Sequence, residues 1–254
     1  MTIFETKRGD PALDPTPAIQ HLKKHQAGVL TTKNPGKLVE KIIIPYPEFH
    51  RQVVVEVGIT GYGNTLVEPG VPSIDQAIDD LTRLAAIVGM KRVRLRVAPV
   101  FYTDPLTGDS GLNRAEMVIQ KVLSHVSIPV IIEPAYFPLG MEISFKKRGL
   151  YLNDSDFYLS NIKSKPRYMQ IWYVQKILSR LQNLNLRDLR ICGCAKIFEG
   201  LSPCLSLTDL SLLDLAQEGK RKGCRCQTEK IEAYPHTQRQ ACQHNCAYCY
   251  LNFL

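Results

Sequence analysis

Three cysteines near the C-terminal end of the chain have the spacing of a metal-binding motif. The segment reads Cys242-Gln-His-Asn-Cys246-Ala-Tyr-Cys249-Tyr. Thiolates are soft ligands that suit iron–sulfur clusters or zinc. Three of them at this asymmetric spacing can hold three irons of a four-iron cluster and leave the fourth iron open to a small molecule. The alternative is a zinc site with His244 or another cysteine as fourth ligand, although zinc ligands usually come as two close pairs.

The distribution of cysteines along the chain also favours metal binding. All eight lie in the last quarter, and residues 1–191 contain none, whereas cysteines that fill a core would be scattered. The segment Met1–Asp10 is polar and lacks the apolar core of a secretion signal, and no apolar run approaches the roughly 20 residues of a membrane span. We therefore expect a cytoplasmic protein without a membrane partner, a setting in which structural disulfides are rare.

Size and composition indicate an ordinary folded domain. The chain has 254 residues, of which 44 % are hydrophobic, and this excludes a disordered class. Its formal net charge is +8. A basic protein attracts nucleic acids and acidic metabolites, but a solvated basic surface accounts for the charge equally well.

Strand and helix patterns alternate along the chain. Runs of β-branched and other apolar residues predict strands at 28–32, 52–60, 93–100, 128–133 and within 186–198. Helical spacing predicts helices at 74–88, 113–125, 166–182 and 208–218. Ser73 and Gln76 form a capping box for the first helix, and Asn113 and Glu116 cap the second. This alternation predicts βαβ units and a parallel sheet, and both a partly closed (β/α)6 barrel and a doubly wound sheet fit it.

The same patterns divide the chain into three parts. Residues 1–25 contain three prolines and many charges, and predict an irregular lead-in. Residues 26–219 form the predicted α/β barrel domain. After Gly219 the apolar periodicity is lost, so residues 220–254 are predicted to be a cluster-binding tail that is organised by metal rather than by a core.

Polar residues at the ends of predicted strands are candidates for ligand binding. Thr60 and the glycine loop that begins at Gly61 would let the backbone approach a ligand, although an ordinary tight turn explains the glycines nearly as well. Arg94 and Arg96 alternate with apolar neighbours, so both guanidinium groups lie on one face of a strand. Inside a barrel they need an anionic partner, such as a cofactor carboxylate or a phosphate, whereas at an edge they are solvated. We predict that Arg96 faces a ligand, with Glu133 as a weaker candidate.

The cysteine motif and several strand ends resemble radical S-adenosylmethionine (radical SAM) proteins. The ending Cys-Ala-Tyr-Cys-Tyr resembles their cluster motif. Successive strand ends resemble the spore photoproduct lyase branch, at Thr31–Pro35, Gly58–Gly63, Glu68–Pro72 and Arg94–Pro99. The chain is closer still to an uncharacterised radical-SAM-like family with the same C-terminal motif, whose first strand carries an Arg-Arg-Thr-Asp motif to which Lys7–Pro11 corresponds weakly. The motif usually comes near the N terminus, so the resemblance implies a circularly permuted, partial (β/α)6 TIM-like barrel.

The resemblance implies an enzyme with a 4Fe-4S cluster on Cys242, Cys246 and Cys249. S-adenosylmethionine would bind at the open iron and be cleaved reductively to a 5′-deoxyadenosyl radical, which takes hydrogen from an unknown substrate. The electron would come from a donor such as flavodoxin or ferredoxin. Lys33 would pair with the carboxylate of S-adenosylmethionine, and Tyr248 would lie near its adenine.

The resemblance also implies a second set of ligands, formed by Cys194, Cys204, Cys224 and Cys226. This set would hold a second 4Fe-4S cluster, and a structural zinc is the alternative. For the whole protein, one alternative function is a non-catalytic zinc or iron–sulfur module that binds nucleic acid through its basic surface. Another is a degenerate enzyme that holds clusters but no cofactor. The resemblance to the spore photoproduct lyase branch also indicates, by analogy alone, that the substrate is a nucleic acid.

Overall fold

The structure is a computed structural model. It describes residues 3–24, 26–134, 141–151, 175–177, 179–181, 184, 186, 188–191, 205–215, 230–234 and 242–249. Among the described helices, none has the length and apolar character needed to span a bilayer.

Seven strands form one sheet in which all neighbouring strands are parallel. They are β1 (Ile3–Glu5), β2 (Ala27–Thr32), β3 (Val53–Gly58), β4 (Val93–Val100), β5 (Val130–Pro134), β6 (Leu189–Ile191) and β7 (Lys230–Glu232). The described α-helices are α1 (Thr16–Lys23), α2 (Pro35–Leu38), α3 (Ile74–Val88), α4 (Gly111–Leu123), α5 (Met141–Lys147) and α6 (Leu207–Leu212). The fold is therefore of the α/β class, as the alternating pattern predicts.

The order of strands is β6-β5-β4-β3-β2-β1-β7. The chain adds β2 to β6 in sequence on one side of β1, and β7 lies on the other side. Connections between parallel strands are right-handed. When each new strand is added on the same side of the previous one, the connecting helices therefore lie on the same face of the sheet, and this holds for most helices here. In the part of the chain that the structure describes, β6 and β7 do not pair, so the sheet is open.

The two faces of the sheet differ in chemistry. One face packs against α1, α3 and α4, and its core includes Val55 and Leu95 from the strands with Leu81 and Val118 from the helices. The opposite face has a smaller apolar cluster, where Leu210 of α6 packs on β1, β2 and β3. The remaining positions of this second face carry buried charges on β1, β3, β4 and β6. The polar groups of the second face are therefore separated from the helical core.

Two helix starts test the capping predictions. The start of α3 is confirmed, since the Ser73 hydroxyl accepts a hydrogen bond from the Gln76 N–H at 3.4 Å and the helix ends at Gly89. Only this half of the predicted capping box forms, because the Gln76 side chain donates to Asp80 Oδ2 at 3.1 Å. The predicted cap of the next helix at Asn113 is wrong. Helix α4 begins at Gly111, because the Gly111 N–H is bonded to the Tyr102 carbonyl at 3.0 Å and this bond fixes the entry of the chain.

The prediction of an irregular lead-in differs from the structure. Residues 3–5 form β1, which pairs with both β2 and β7, and Thr16–Lys23 form α1. Strand β1 is too short for an alternating pattern to reveal it. Pro15 and Pro17 stand just before and within the first turn of α1, where a proline costs no helical hydrogen bond. The prolines therefore start a helix here.

The C-terminal elements are shorter than predicted, and one is new. The predicted helix 208–218 is found as α6, which ends in a turn where Asp214 has a φ of 52°. The predicted tail contributes β7 to the sheet beside β1, so the boundary at residue 220 divides strands of one sheet. Within the predicted helix 166–182, residues 175–177 and 179–181 are helical, and the rest lies outside the described residues.

Candidate functional site

The cysteine motif lies on the loop that follows β3. The Ala247 N–H donates to the Val67 carbonyl at 2.7 Å, and the Gly70 N–H donates to the His244 carbonyl at 3.1 Å. A Cβ on Gly70 would lie 2.2 Å from the Gln243 carbonyl oxygen, so only glycine permits this approach. The main chain of the loop thus holds the motif at the carboxyl-terminal edge of the parallel sheet, where α/β proteins bind ligands.

The motif itself is a pair of tight turns. The Asn245 N–H donates to the Cys242 carbonyl and the Cys249 N–H to the Cys246 carbonyl, each at 3.1 Å. Asn245 has a φ of 47°, a left-handed conformation that asparagine tolerates better than most residues. Cys246 is 5 % exposed, whereas Cys242 and Cys249 are partly exposed. The two turns bring the three thiols near enough to influence one another electrostatically.

His244 binds the motif to the N-terminal segment. Its Nδ1 lies 3.1 Å from the Gly70 carbonyl and its Nε2 lies 2.6 Å from Asp10 Oδ2. Asp10 Oδ2 also accepts a hydrogen bond from the Lys33 N–H at 2.8 Å. Both ring nitrogens of His244 are therefore engaged with oxygen atoms, and in this arrangement the ring is not directed at a metal, which leaves another cysteine as the fourth ligand of the zinc alternative.

The Glu68 carboxylate gathers three of the predicted cofactor contacts. Glu68 is 0 % exposed. It accepts hydrogen bonds from Lys33 Nζ at 2.7 Å, from Thr60 Oγ1 at 2.6 Å and from the Tyr248 hydroxyl. These donors come from the end of β2, the end of β3 and the cysteine motif. Because parallel strands end at one edge of the sheet, residues far apart in sequence meet at one carboxylate.

The charges around Glu68 favour a cationic lysine and a neutral tyrosine. Burial alone would lower the pKa of Lys33, but Glu68 and, to a smaller extent, Cys246 and Asp10 raise it above its ordinary value. Burial, with the Glu68 charge, raises the pKa of Tyr248 well above its ordinary value. Lys33 therefore stays protonated, and the Tyr248 hydroxyl stays a hydrogen-bond donor. The Lys33 ammonium also lies 5.4 Å from the centre of the Tyr248 ring.

Burial favours the neutral form of two thiols of the motif, Cys242 and Cys246. Burial raises the pKa of Cys246 to about 12, although the neighbouring Lys33 charge opposes this shift. Burial also raises the pKa of Cys242. Metal ligation needs thiolates, and a cationic metal centre stabilises them. In the described part of the chain, no group of three or more His, Cys, Asp or Glu side chains is arranged to hold a metal ion.

Aromatic rings form one side of the site. The rings of Tyr248 and Phe101 meet edge to face with centroids 5.6 Å apart, and Phe101 meets Tyr62 and Phe145 at 5.6 and 5.9 Å. Gly61 packs against helix α4 rather than against these rings. Its φ is 80°, its carbonyl accepts a hydrogen bond from Arg114 Nη1 at 3.1 Å, and a Cβ would lie 2.8 Å from Val118 of α4. The structure thus uses Gly61 to pack the loop on α4.

Arg94 and Arg96 lie on the face opposite the main helical layer, and both are buried. Arg96 Nη1 binds Glu56 Oε2 at 2.7 Å, and Nη2 binds Glu133 Oε2. Arg94 binds Asp209, which also binds Arg190 Nη1 at 2.6 Å. The sequence pattern requires an anionic partner for each arginine, and the chain itself supplies these carboxylates. Whether Arg96 also faces a ligand stays a prediction.

A family model described as a domain of unknown function (DUF1848) matches residues 16–251. The chain belongs to this family. No curated protein matches the chain. The match includes β2 to β7 and the three cysteines of the motif, so the site described above is formed almost entirely by DUF1848 sequence. Asp10 and β1 precede the matched residues.

The second predicted ligand set of this DUF1848 chain lies outside the part of the chain that the structure describes. Cys194, Cys204, Cys224 and Cys226 lie outside the described residues, as does Cys192. The set stays a prediction, with a cluster and a zinc ion as its alternatives.

Two residues of the site are absent from the sequence-based candidates. Glu68 gathers Lys33, Thr60 and Tyr248, and Asp10 joins Lys33 to His244. Both stand in loops, so no strand or helix pattern marks them. Their sequence signals are the Glu68-Pro-Gly stretch and the Gly9-Asp10-Pro11 stretch, each of which belongs to a segment that resembles the radical-SAM-like family.

Proposed function

We propose that this protein is a radical SAM-like enzyme built on a partial, circularly permuted (β/α) barrel. Cys242, Cys246 and Cys249 would hold a 4Fe-4S cluster, and S-adenosylmethionine would bind its open iron. One observation carries the proposal: the motif docks at the carboxyl-terminal edge of the sheet, where Lys33, Thr60 and Tyr248 converge on Glu68. A site for a cluster and a zwitterionic cofactor needs such a meeting of thiols, a cation and hydrogen-bonding groups.

The donor set fits a four-iron cluster better than a single zinc ion. Each thiolate of a cluster binds a different iron, so the three sulfurs need not surround one ion. His244, one of the two kinds of fourth ligand in the zinc alternative, is engaged with Gly70 and Asp10, and another cysteine is the remaining kind. The Cys242 and Cys246 thiols, whose pKa is raised by burial, would release protons as the cluster assembles, and its cationic core would replace those protons.

The chain's own residues would bind and orient the cofactor. Lys33 keeps its charge beside Cys246 and can pair with the carboxylate of S-adenosylmethionine. Tyr248 offers a ring face beside the motif for the adenine, with Phe101 behind it. When bound, the cluster supplies one electron to S-adenosylmethionine, which splits into methionine and the 5′-deoxyadenosyl radical. The buried surroundings of Glu68 and Cys246 would keep water from this reaction.

Formation of 5′-deoxyadenosine tests the proposal. The protein is purified and reconstituted with iron and sulfide without oxygen, and then supplied with S-adenosylmethionine and dithionite. We expect 5′-deoxyadenosine from the wild type and from Cys192→Ala, which lies outside both predicted ligand sets. We expect none from Cys246→Ala.

Other outcomes separate the alternatives. A colourless protein that binds zinc in place of iron would support the non-catalytic module. A brown protein whose cluster is reduced, but which forms no 5′-deoxyadenosine, would support a degenerate enzyme that holds clusters without the cofactor. Either result would contradict the proposed activity.

A further inference from the structure

The outer surface beside the cysteine motif is basic. Lys146 and Lys147 end helix α5, and Arg148 follows them. Both lysines are exposed. Within the described residues, none of these three side chains forms an ion pair with a carboxylate. The DUF1848 match does not assign a role to this run.

Helix α5 is fixed directly to the motif by two kinds of contact. Arg148 donates to the carbonyl and to the side-chain oxygen of Asn245, each at 2.9 Å, and to the Leu66 carbonyl at 3.1 Å. Asn245 is the residue before Cys246. On its inner side, α5 inserts Phe145 into an apolar cluster that also contains Phe101 and Ala247 of the motif. The outer face of α5 therefore keeps a constant position relative to the cysteines.

The outer face of α5 also has an apolar component. Ile143 is 54 % exposed, and Leu66, in the loop that carries the motif, is 60 % exposed. Ile143, Lys146 and Lys147 share one side of the helix because they are three and four residues apart. Basic side chains on a surface steer the encounter with a partner of opposite charge, and exposed apolar side chains beside them add contact area.

We propose that this surface, formed by Leu66, Ile143, Lys146, Lys147 and Arg148, docks a small acidic protein that donates one electron at a time. The inference rests on the proposed function, since reductive cleavage of S-adenosylmethionine needs an external electron. The donor is oxidised by one electron, and the cluster on the neighbouring cysteines is reduced by one. Charge complementarity selects an acidic donor, and the Asn245–Arg148 contact places the surface beside Cys246.

The test compares two charge-reversed variants of the full chain. In one, Lys146→Glu is combined with Lys147→Glu. In the control, Lys23→Glu is combined with Lys24→Glu on the exposed end of α1, which gives the same change in net charge. An acidic flavodoxin in its fully reduced form is the probe, and cluster reduction is followed by stopped-flow absorbance. Dithionite serves as a reductant that needs no docking surface.

We expect reduction by flavodoxin to be at least about tenfold slower in the α5 variant at low salt, with the control unchanged and dithionite reduction equal in all proteins. The difference should shrink as salt is raised. Equal flavodoxin rates in both variants would overturn the docking surface. If the α5 variant instead loses affinity for a single-stranded oligonucleotide and keeps its flavodoxin rate, the surface binds nucleic acid and the inference is wrong.

A second measurement separates this inference from the proposed function. Oxidised flavodoxin is titrated onto the apo protein and its binding is followed by fluorescence anisotropy. If no cluster assembles but the α5 variant alone loses flavodoxin binding, the docking surface stands and the proposed function fails. If the cluster assembles and supports 5′-deoxyadenosine formation while binding is equal in both variants, the surface fails and the function stands. If the wild type neither assembles a cluster nor binds flavodoxin, both fail.

Discussion

Two buried carboxylates, Asp209 and Glu68, organise two different regions of the molecule. Asp209 binds Arg94 and Arg190 and caps α6 through Ser206. Burial would raise the pKa of Asp209, but the two guanidinium groups lower it below its ordinary value. Glu68 binds one cation and two hydroxyl groups beside the thiols of the motif. The charged groups around Asp209 all belong to the chain and neutralise one another, whereas the groups around Glu68 can exchange partners with a ligand.

The difference separates a buried charge that stabilises the fold, at Asp209, from a buried charge that serves the candidate site, at Glu68. The arginine partners of Asp209 are permanently charged, and both are buried, with Arg94 1 % and Arg190 5 % exposed. The Lys33 side chain at Glu68 is partly exposed, with 20 % of its surface accessible. We therefore expect changes at Asp209 to unfold the protein and changes at Glu68 to disable the site.

The largest effect is expected for Asp209→Asn. The buried Arg94 would lose its counter-charge, and Arg190 would keep only that of the exposed Asp188, 2.9 Å away. Breaking a buried pair in this way costs about 3–5 kcal/mol. The measurement is the free energy of unfolding in urea. Asp79→Asn, at an exposed carboxylate, should change it by less than about 0.5 kcal/mol. A loss below about 1 kcal/mol in Asp209→Asn would mean that this cluster does not support the fold.

A local effect is expected for Gly70→Ala. The new Cβ would meet the Gln243 carbonyl and the His244 Cα, so the motif must move off the loop. Cys246 would then react with iodoacetamide in the apo protein at least about tenfold faster than in the wild type, because its burial would be lost. The amount of iron bound per protein after reconstitution should also fall in this variant. Unchanged alkylation and iron content would show that docking on this loop does not shape the motif.

A smaller effect on stability, but a large one on activity, is expected for Glu68→Gln. Loss of the carboxylate charge weakens one ion pair and two hydrogen bonds, for a cost of about 1–2 kcal/mol. Lys33 would lose its counter-charge and Tyr248 would keep only a neutral amide oxygen as acceptor, so the rate of 5′-deoxyadenosine formation should fall at least about tenfold. Glu48→Gln, at an exposed carboxylate, is the control for both measurements. If Glu68→Gln keeps full activity and destabilises the fold as much as Asp209→Asn, the contrast between the two carboxylates is wrong.

The smallest effect is expected at a third carboxylate, Glu232, which stands opposite Glu5 in the β1–β7 pair. Burial, and then the neighbouring Glu5 charge, raises the pKa of Glu232 from 4.5 to about 7. The folded state therefore binds a proton more tightly than the unfolded state, and stability falls as the pH rises between these two values. Glu232→Gln should raise Tm by about 2–4 °C at pH 8 and have little effect at pH 5.

Glu40→Gln, at an exposed carboxylate, should leave Tm unchanged at both pH values. A Tm gain in Glu232→Gln that is the same at pH 5 and pH 8 would mean that Glu232 is ionised throughout this range and does not resist the β1–β7 pairing.

Much of the fold follows from the sequence because its central strands are long and apolar. Strands β2 to β5 and helix α3 have enough residues for period and capping to identify them. Strands β1 and β7 have three residues each and become strands only by pairing with each other and with β2. Such short strands are fixed by tertiary contacts, which no local pattern records.

The candidate residues of the site can be predicted from the sequence, but their connections cannot. The spacing of the cysteines marks them as candidates, and Lys33 is a candidate through the family resemblance and its position at a strand end. Glu68 is different, since its partners Lys33 and Tyr248 lie 35 and 180 residues away in the sequence. The partners of Arg94 and Arg96 are also distant carboxylates. Sequence alone predicts that such arginines need an anion, whereas the fold decides which anion is supplied.

The most direct test of the central claim is electron paramagnetic resonance of the reconstituted, dithionite-reduced protein with and without S-adenosylmethionine. We predict the signal of a reduced four-iron cluster that changes when S-adenosylmethionine is added, because the cofactor binds the open iron. In Cys246→Ala this response should be lost, and in Cys192→Ala it should remain. A protein without iron, or a cluster signal that S-adenosylmethionine leaves unchanged, would contradict the claim that the three-cysteine motif holds a cofactor-binding cluster.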